Sequence, residues 1–405
     1  MDPHAGQWLG LALRWLHVVA GISWIGTSFY FNWLNGQIRP PPPPPQPAPP
    51  QPPEPGVAGE VWSVHGGGFY RAVKYGVAPA RLPATLHWFQ WEAYVTWLSG
   101  VALLVLIYYL DAAAYLLDPQ SADVTPRAAV GICLATLLAG WLVYDLLCRS
   151  PLGTRGGALA AVGVTLTAAL AWGLTAVVSP RAAYIHVGAL LGTVMAGNVF
   201  RMIIPAQREM VAAMAAGRSP DARRGGQAAL RSLHNNYLTL PVLFIMVSMH
   251  YPATYGHRWS WAVLVGMSLV GAGVRHWFNL RHQGRRNRWI LPAAAAAMVA
   301  LAVATAPRRP AAQTGGGATV PFDEVRVIVA RRCAGCHSST PTHPAFTTAP
   351  AGAVLDTPEQ IRALALRIEA VTVVARTMPL GNATGMTPEE RERLGRWVRE
   401  GARIR

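Results

Sequence analysis

Cys333-Ala334-Gly335-Cys336-His337 is a C-x-x-C-H run. Two thiols at this spacing reach the two vinyl groups of a haem, and the adjoining histidine then lies under the iron as its proximal ligand. A structural metal or a redox C-x-x-C is the competing reading, but the histidine and the helical surroundings favour one covalent haem c. The sixth ligand is expected at Met378, which precedes Pro379 just after an apolar helical stretch, with Met386 as the runner-up. A thioether ligand raises the haem potential and suits electron transfer. His337 and Met378 are thus the expected axial ligands, and Cys333 and Cys336 the covalent anchors. The other cysteines, Cys133 and Cys148, lie in or beside an apolar segment and read as inert.

A second set of chemically capable residues lies inside apolar runs or at their ends: His17, His87, Glu92, Asp145, His186, His234, His250 and His276. Ionisable groups are costly in lipid and are functional candidates there by default. The plainer reading is of interfacial histidines that bond water or backbone. His17 and His186 share a pattern: each opens an apolar run, is followed by Val, and has a Phe fourteen residues on, at Phe31 and Phe200. A neutral imidazole is a good iron ligand and is cheaper to hold in lipid than a charge. The pair is expected to hold a non-covalent haem b, with His250 as the substitute for either.

The elements that must position these groups follow from composition and patterning. Hydrophobic residues make up 52% of the 405 and charged residues only 13%, about half the usual share of a soluble domain. Apolar runs of spanning length recur eight times, at about 15–34, 86–110, 128–147, 158–178, 183–204, 233–250, 259–280 and 289–306. Trp and Tyr crowd their ends, as in an interfacial belt. The fold class expected is all-α: an eight-helix transmembrane bundle followed by a small class I cytochrome c domain.

The net charge is +16, and all but one of the basic residues are Arg. Those residues lie between apolar runs, with no basic face or binding motif, so topology explains them better than nucleic acid does. The arginine-rich loops are cytoplasmic by this rule, which puts both termini and the haem domain on the outer, periplasmic side of a bacterial inner membrane. Met1 to Gln7 carries no Lys or Arg, and the apolar run that follows is longer than the core of a signal peptide, so it reads as a retained first helix.

Residues 1–306 form the membrane domain, with a Pro-rich insert at 40–55 read as a polyproline spacer. An amphipathic cytoplasmic arm is expected at 205–232, breaking at Gly225-Gly226. Residues 307–320 read as a flexible tether and 321–405 as the cytochrome domain. In the latter, a short helix should run from Pro321 into the haem motif. Thr357-Pro358 should start a second helix and Thr387-Pro388-Glu389-Glu390 a capped third, with Trp397 packing near Phe322.

Five segments, RWLHVVAGISWIGTSFYF (14–31), EVWSVHGGGFY (60–70), HWFQWEAYVTWLSG (87–100), HVGALLGTVMAGNVFRMIIPAQ (186–207) and HNNYLTLPVLFIMVS (234–248), resemble the bacterial membrane-bound urate hydroxylase family. ARTMPLGNATGMT (375–387) resembles its tail, and the Pro tract is a departure from it. In that family an eight-helix urate oxidase N-terminal domain is fused to a cytochrome c. The resemblance implies oxidation of urate to 5-hydroxyisourate, with electrons passed to the fused haem and on to a downstream cytochrome or terminal oxidase. Urate must lose a proton and be held as an anion, so a base and a cation are needed. His65 with Gly66-Gly67-Gly68, His87, Glu92 and Arg201 are the candidate catalytic residues, the glycines as an anion cradle or simply a flexible loop. The alternative is a haem c electron-transfer protein that carries quinol or partner electrons without its own substrate site; haem handling or metal transport is a third class.

Overall fold

A computed structural model describes residues 2–40, 56–117, 124–306 and 319–404. Most of the Pro-rich insert (41–55) and of the expected tether (307–318) lies outside the described residues. α1 (Pro3–Gln37) starts where Asp2 accepts from the Ala5 N–H at 2.7 Å, with Pro at the first turn. β1 (Val57–His65) and β2 (Gly68–Tyr75) follow as an antiparallel hairpin. α2 (Trp91–Leu104) ends in a π turn over Val105–Tyr109, and α3 (Ala112–Tyr115) is one turn long. α4 (Pro126–Arg149), α5 (Gly156–Thr175) and α6 (Pro180–Asn198) come next. A second π turn, Val199–Ile203, joins α6 to α7 (Ile204–Ala215). α8 (Ala222–Ser248), α9 (Pro252–Tyr255), α10 (Ser260–His282) and α11 (Ile290–Ala304) complete the first domain.

Among the described residues, five helices are long and apolar enough to cross a membrane: His4–Gln37, Trp91–Tyr109, Pro126–Arg149, Gly156–Thr175 and Pro180–Ala215. The other three expected spans correspond to α8, α10 and the shorter α11. α8 and α10 are long, but buried Arg231 and Arg275 and several Asn and His residues interrupt their apolar character. α6 packs closely against α4 and α8. A Cβ on Gly140 would stand 2.6 Å from a Leu190 methyl, and one on Gly188 2.7 Å from Ile245.

Two expectations need correcting. The chain is mostly helical, as expected, but a hairpin interrupts the helices, pairing His65 with Gly68 across Gly66 (φ +56°) and Gly67 (φ +79°). Two successive positive φ values are what a two-residue hairpin turn requires, and glycine meets them without strain. The hairpin is pinned to the end of α1 by paired backbone bonds between Arg39 and Glu60. The arm at 205–232 does not break at Gly225-Gly226, which lie inside α8. The chain reverses at 216–221, where Gly217 has φ +68°, and Arg224 pairs with Glu209 across the turn at 2.9 Å.

In the C-terminal domain α12 (Phe322–Arg332) leads into the cysteine motif. α13 (Pro358–Ala363) and α14 (Ala365–Ile368) pass into a π turn over Glu369–Val374, and α15 (Pro388–Arg399) closes the chain. Thr357/Gln360 and Thr387/Glu390 form complete capping boxes. Trp397 is buried beside Phe322, ring centroids 5.9 Å apart, in a core with Val325, Ile361 and Leu394.

Candidate functional site

α12 delivers the chain to Cys333, and a tight turn follows in which the Cys336 and His337 N–H groups both donate to the Cys333 carbonyl. The cysteines are free thiols. Burial pushes the Cys333 thiol up to about 11, helped by neighbouring Cys336, and burial also raises Cys336. Both therefore stay protonated at neutral pH, as S–H groups able to add across a vinyl bond. His337 Nδ1 lies 3.0 Å from the Ala353 carbonyl. Donation from Nδ1 fixes the tautomer and leaves the Nε2 lone pair available, the arrangement of an iron-ligating histidine.

Met378 sits on a separate loop, half-buried and outside the core cluster, whereas Met386 is 3% exposed inside that cluster. Buried Arg391 clamps the loop from α15. It donates to the carbonyls of Thr372 and Met378 and to Asn382 Oδ1. Two thiols, an oriented imidazole and a thioether on a clamped loop fit the donor set of a c-type haem. The Met378 loop is also where this domain seats on the first one. Ala375 belongs to the first domain's core cluster, and Gly381 (φ +55°) lies so close to Ala113 and Ala114 that a Cβ would stand 2.9 Å from backbone. A Cβ on Gly256, just after α9, would stand 2.4 Å from that of Ala375.

Beneath that seat His186 is fully buried, Nδ1 donating to the Ala182 carbonyl at 2.7 Å and Nε2 3.2 Å from the Tyr109 hydroxyl. The π turn of α2 brings successive tyrosines to it, Tyr109 stacked and Tyr108 edge-on. His17 is half-buried, its Nδ1 2.9 Å from the Thr96 carbonyl and 3.1 Å from Ser99 Oγ. The structure does not bring His17 and His186 together. They meet α2 at points ten residues apart, from Ser99 to Tyr109, roughly three helical turns. One iron between them does not fit this arrangement, and no step is routed through haem b.

The four candidate catalytic residues are likewise dispersed. His65 is exposed on the hairpin turn, so turn geometry explains its glycines. His87 is exposed, edge-on to Phe89. Glu92 is partly buried in the first turn of α2, and Arg201 is exposed in the second π turn. No hydrogen bond or ion pair joins any two of these four among the described residues.

Two other polar clusters are assembled instead, both around a buried arginine of the first domain. Arg231 pairs with Asp145 at 2.8 Å and donates to Asn198 Oδ1, while Arg149 holds the second Asp145 oxygen at 2.7 Å. Asn198 Nδ2 reaches the Tyr144 hydroxyl and Asn235 Oδ1, and Tyr144 bonds His234 Nδ1 at 2.9 Å. Arg275 lies at the junction of α1, α8 and α10. It donates to Asn236 Oδ1 at 3.0 Å and to Asn279 Oδ1 at 3.4 Å, with its guanidinium over Phe29 at 3.9 Å. Sequence reasoning singled out neither Arg231 nor Arg275. The available signals were Arg-x-x-His-Asn-Asn at 231–236 and Arg-His-x-x-Asn at 275–279, each a cation beside amides within an apolar helix.

Comparison with known proteins returns no match among curated proteins and none among solved structures. A family model does match residues 3–306, which spans the whole helical domain and both arginine clusters. The chain belongs to the urate oxidase N-terminal family.

Proposed function

We propose that this protein is a membrane-embedded oxidoreductase that hydroxylates urate to 5-hydroxyisourate and passes the electrons to a haem c on Cys333 and Cys336. The observation that carries this is a family match over residues 3–306 in the same chain as a C-x-x-C-H segment whose histidine is oriented for iron. In balance, urate and water give 5-hydroxyisourate, two protons and two electrons. A haem c bound at Cys333 and Cys336 supplies a one-electron acceptor. Two successive transfers are then needed, with a downstream cytochrome or terminal oxidase drawing electrons off between them.

The chain's own residues do the rest. His337 and Met378 would hold the haem iron, and Arg391 fixes the Met378 loop. That loop seats on α3 and α9, which follow the second and sixth expected spans, at the arginine-poor end of the bundle. This supports the outward orientation inferred from the loop charges, with the haem domain on the periplasmic side of the inner membrane. The test is anaerobic addition of urate to isolated membranes while the reduced haem c band is followed. Reduction by urate is expected. Reduction by quinol alone, with urate inert, would replace this function with the electron-transfer alternative.

A further inference from the structure

Arg275 is 3% exposed, yet its guanidinium makes no ion pair with a carboxylate among the described residues. A buried cation of this kind is costly unless something neutralises it. Its two amide partners are oriented by it. Because Arg275 can only donate, Asn236 and Asn279 must turn their oxygens toward it, which assigns their NH2 groups without ambiguity. Both NH2 groups are buried and have no hydrogen-bond partner among the described residues. Asn236 is fully buried and Asn279 7% exposed. His282 Nδ1 is a third buried atom without a partner, on the same face of α10 as Arg275 and Asn279 by their spacing. One cation and two idle N–H donors thus lie at one helix junction, with an idle ring nitrogen beside them.

A cleft of about 330 Å³ opens beside this group, lined by Trp33, Gln37, Phe278, Arg281 and His282. Phe278 borders both, its ring 5.8 Å from the Arg275 guanidinium. The size is within the range of small-molecule sites. Aromatic walls at the cleft, with a fixed guanidinium and two buried amide groups behind Phe278, suit a flat anion with carbonyl oxygens, while a ring N–H could donate to His282 Nδ1. A point anion such as chloride would leave the aromatic walls unused.

We propose that Arg275, Asn236 and Asn279 form the anion-holding floor of the substrate site, with His282 as an acceptor at its edge. The site takes a planar, singly charged oxo-heterocycle of the urate class, and in that respect the proposal rests on the function proposed above.

The experiment uses the full-length haem-loaded protein in detergent, with urate as the anionic probe and tetramethylurate, which has no ionisable N–H, as the neutral one. Urate should raise the unfolding midpoint of the native protein and tetramethylurate should not. Asn236→Asp gives Arg275 an internal carboxylate, so the protein should fold normally while urate binding weakens at least about tenfold, the scale of one lost charge-assisted bond. Arg275→Lys should weaken it too, because the fork is lost with the charge kept. A native-like urate shift in a folded Asn236→Asp protein would overturn the site while leaving the proposed function intact. If the native membranes do not oxidise urate, the function falls instead. A midpoint rise with orotate, another planar oxo-heterocyclic anion, that is lost in Asn236→Asp would then sustain the site, and no rise with either anion would end it.

Discussion

Two buried arginines, one on α8 and one on α10, have nearly the same exposure, 4% and 3%, and opposite surroundings. Arg231 has a carboxylate, and that carboxylate has a second arginine on its other oxygen. The amides around it are spent: Asn198 Nδ2 has two acceptors and Asn235 Nδ2 donates to the Met195 carbonyl. Among the described residues, Arg275 has only amide oxygens and aromatic faces, and the amide nitrogens beside it are idle. A satisfied network rigidifies a helix junction; an unsatisfied one keeps interaction energy in reserve for a ligand. The first is what α4, α6 and α8 need to hold one another. The second is what a binding site needs before its ligand arrives.

The largest effect that would sharpen this contrast is at Asp145. Asp145→Asn leaves Arg231 buried without its carboxylate and should cost about 3–5 kcal/mol of stability. Asp145→Asn combined with Arg231→Gln should recover most of it, as read by unfolding midpoints in detergent. If the single substitution is tolerated, the Arg231 cluster is no more structural than the Arg275 cluster. Next is Asn236→Asp, which donates a carboxylate to Arg275 and discards an idle N–H. It should stabilise the resting protein by about 1–3 kcal/mol, the usual worth of a hydrogen bond to a charged group. A fall in the midpoint would mean that Arg275 is already neutralised.

A third buried arginine extends the comparison to the C-terminal domain. Arg391 donates to backbone carbonyls and to Asn382, so it acts as a multi-toothed clamp on the Met378 loop. Arg391→Ala should orphan those carbonyls at about 1–3 kcal/mol, seen as earlier urea unfolding of that domain by circular dichroism. Arg391→Lys should recover only part, since one ammonium cannot span the Thr372 and Met378 carbonyls in the same fork geometry.

How much of this was readable beforehand depends on the range of the interaction. The capped helix starts at Thr357 and Thr387 are written in neighbouring residues, and the sequence alone places them well. Gly66-Gly67 is equally local, but a glycine pair serves an anion cradle or a hairpin turn, and only the pairing of His65 with Gly68 decides between them. The likeness of His17 and His186 is one of neighbouring residues, and where each ring lands depends on which level of α2 it meets. Arg275 was illegible for the strongest form of this reason. Its state is defined by what three helices fail to supply, which one strand of text cannot record.

The smallest effect concerns the acid side of the Arg332–Glu390 contact, which ties the end of α12, one residue before Cys333, to the capping box of α15. Burial pushes the Glu390 carboxyl up, but the Thr387 N–H at 2.8 Å and the Arg332 guanidinium at 3.0 Å outweigh it and hold the group below the ordinary glutamate value of 4.5. A depressed carboxylate contributes stability that is complete above its unfolded value and fades as pH falls through the folded one. The C-terminal domain should therefore lose this contribution only below about pH 4.5. Glu390→Gln keeps an acceptor for both donors but cannot ionise. The stability gap between the native protein and Glu390→Gln should be constant from pH 7 to 5 and close below that, by well under 2 kcal/mol for a contact of this exposure. No gap between the two proteins at pH 7 would show that Glu390 works only as a neutral hydrogen-bond acceptor would, and that its charge contributes nothing to holding the C-x-x-C-H segment.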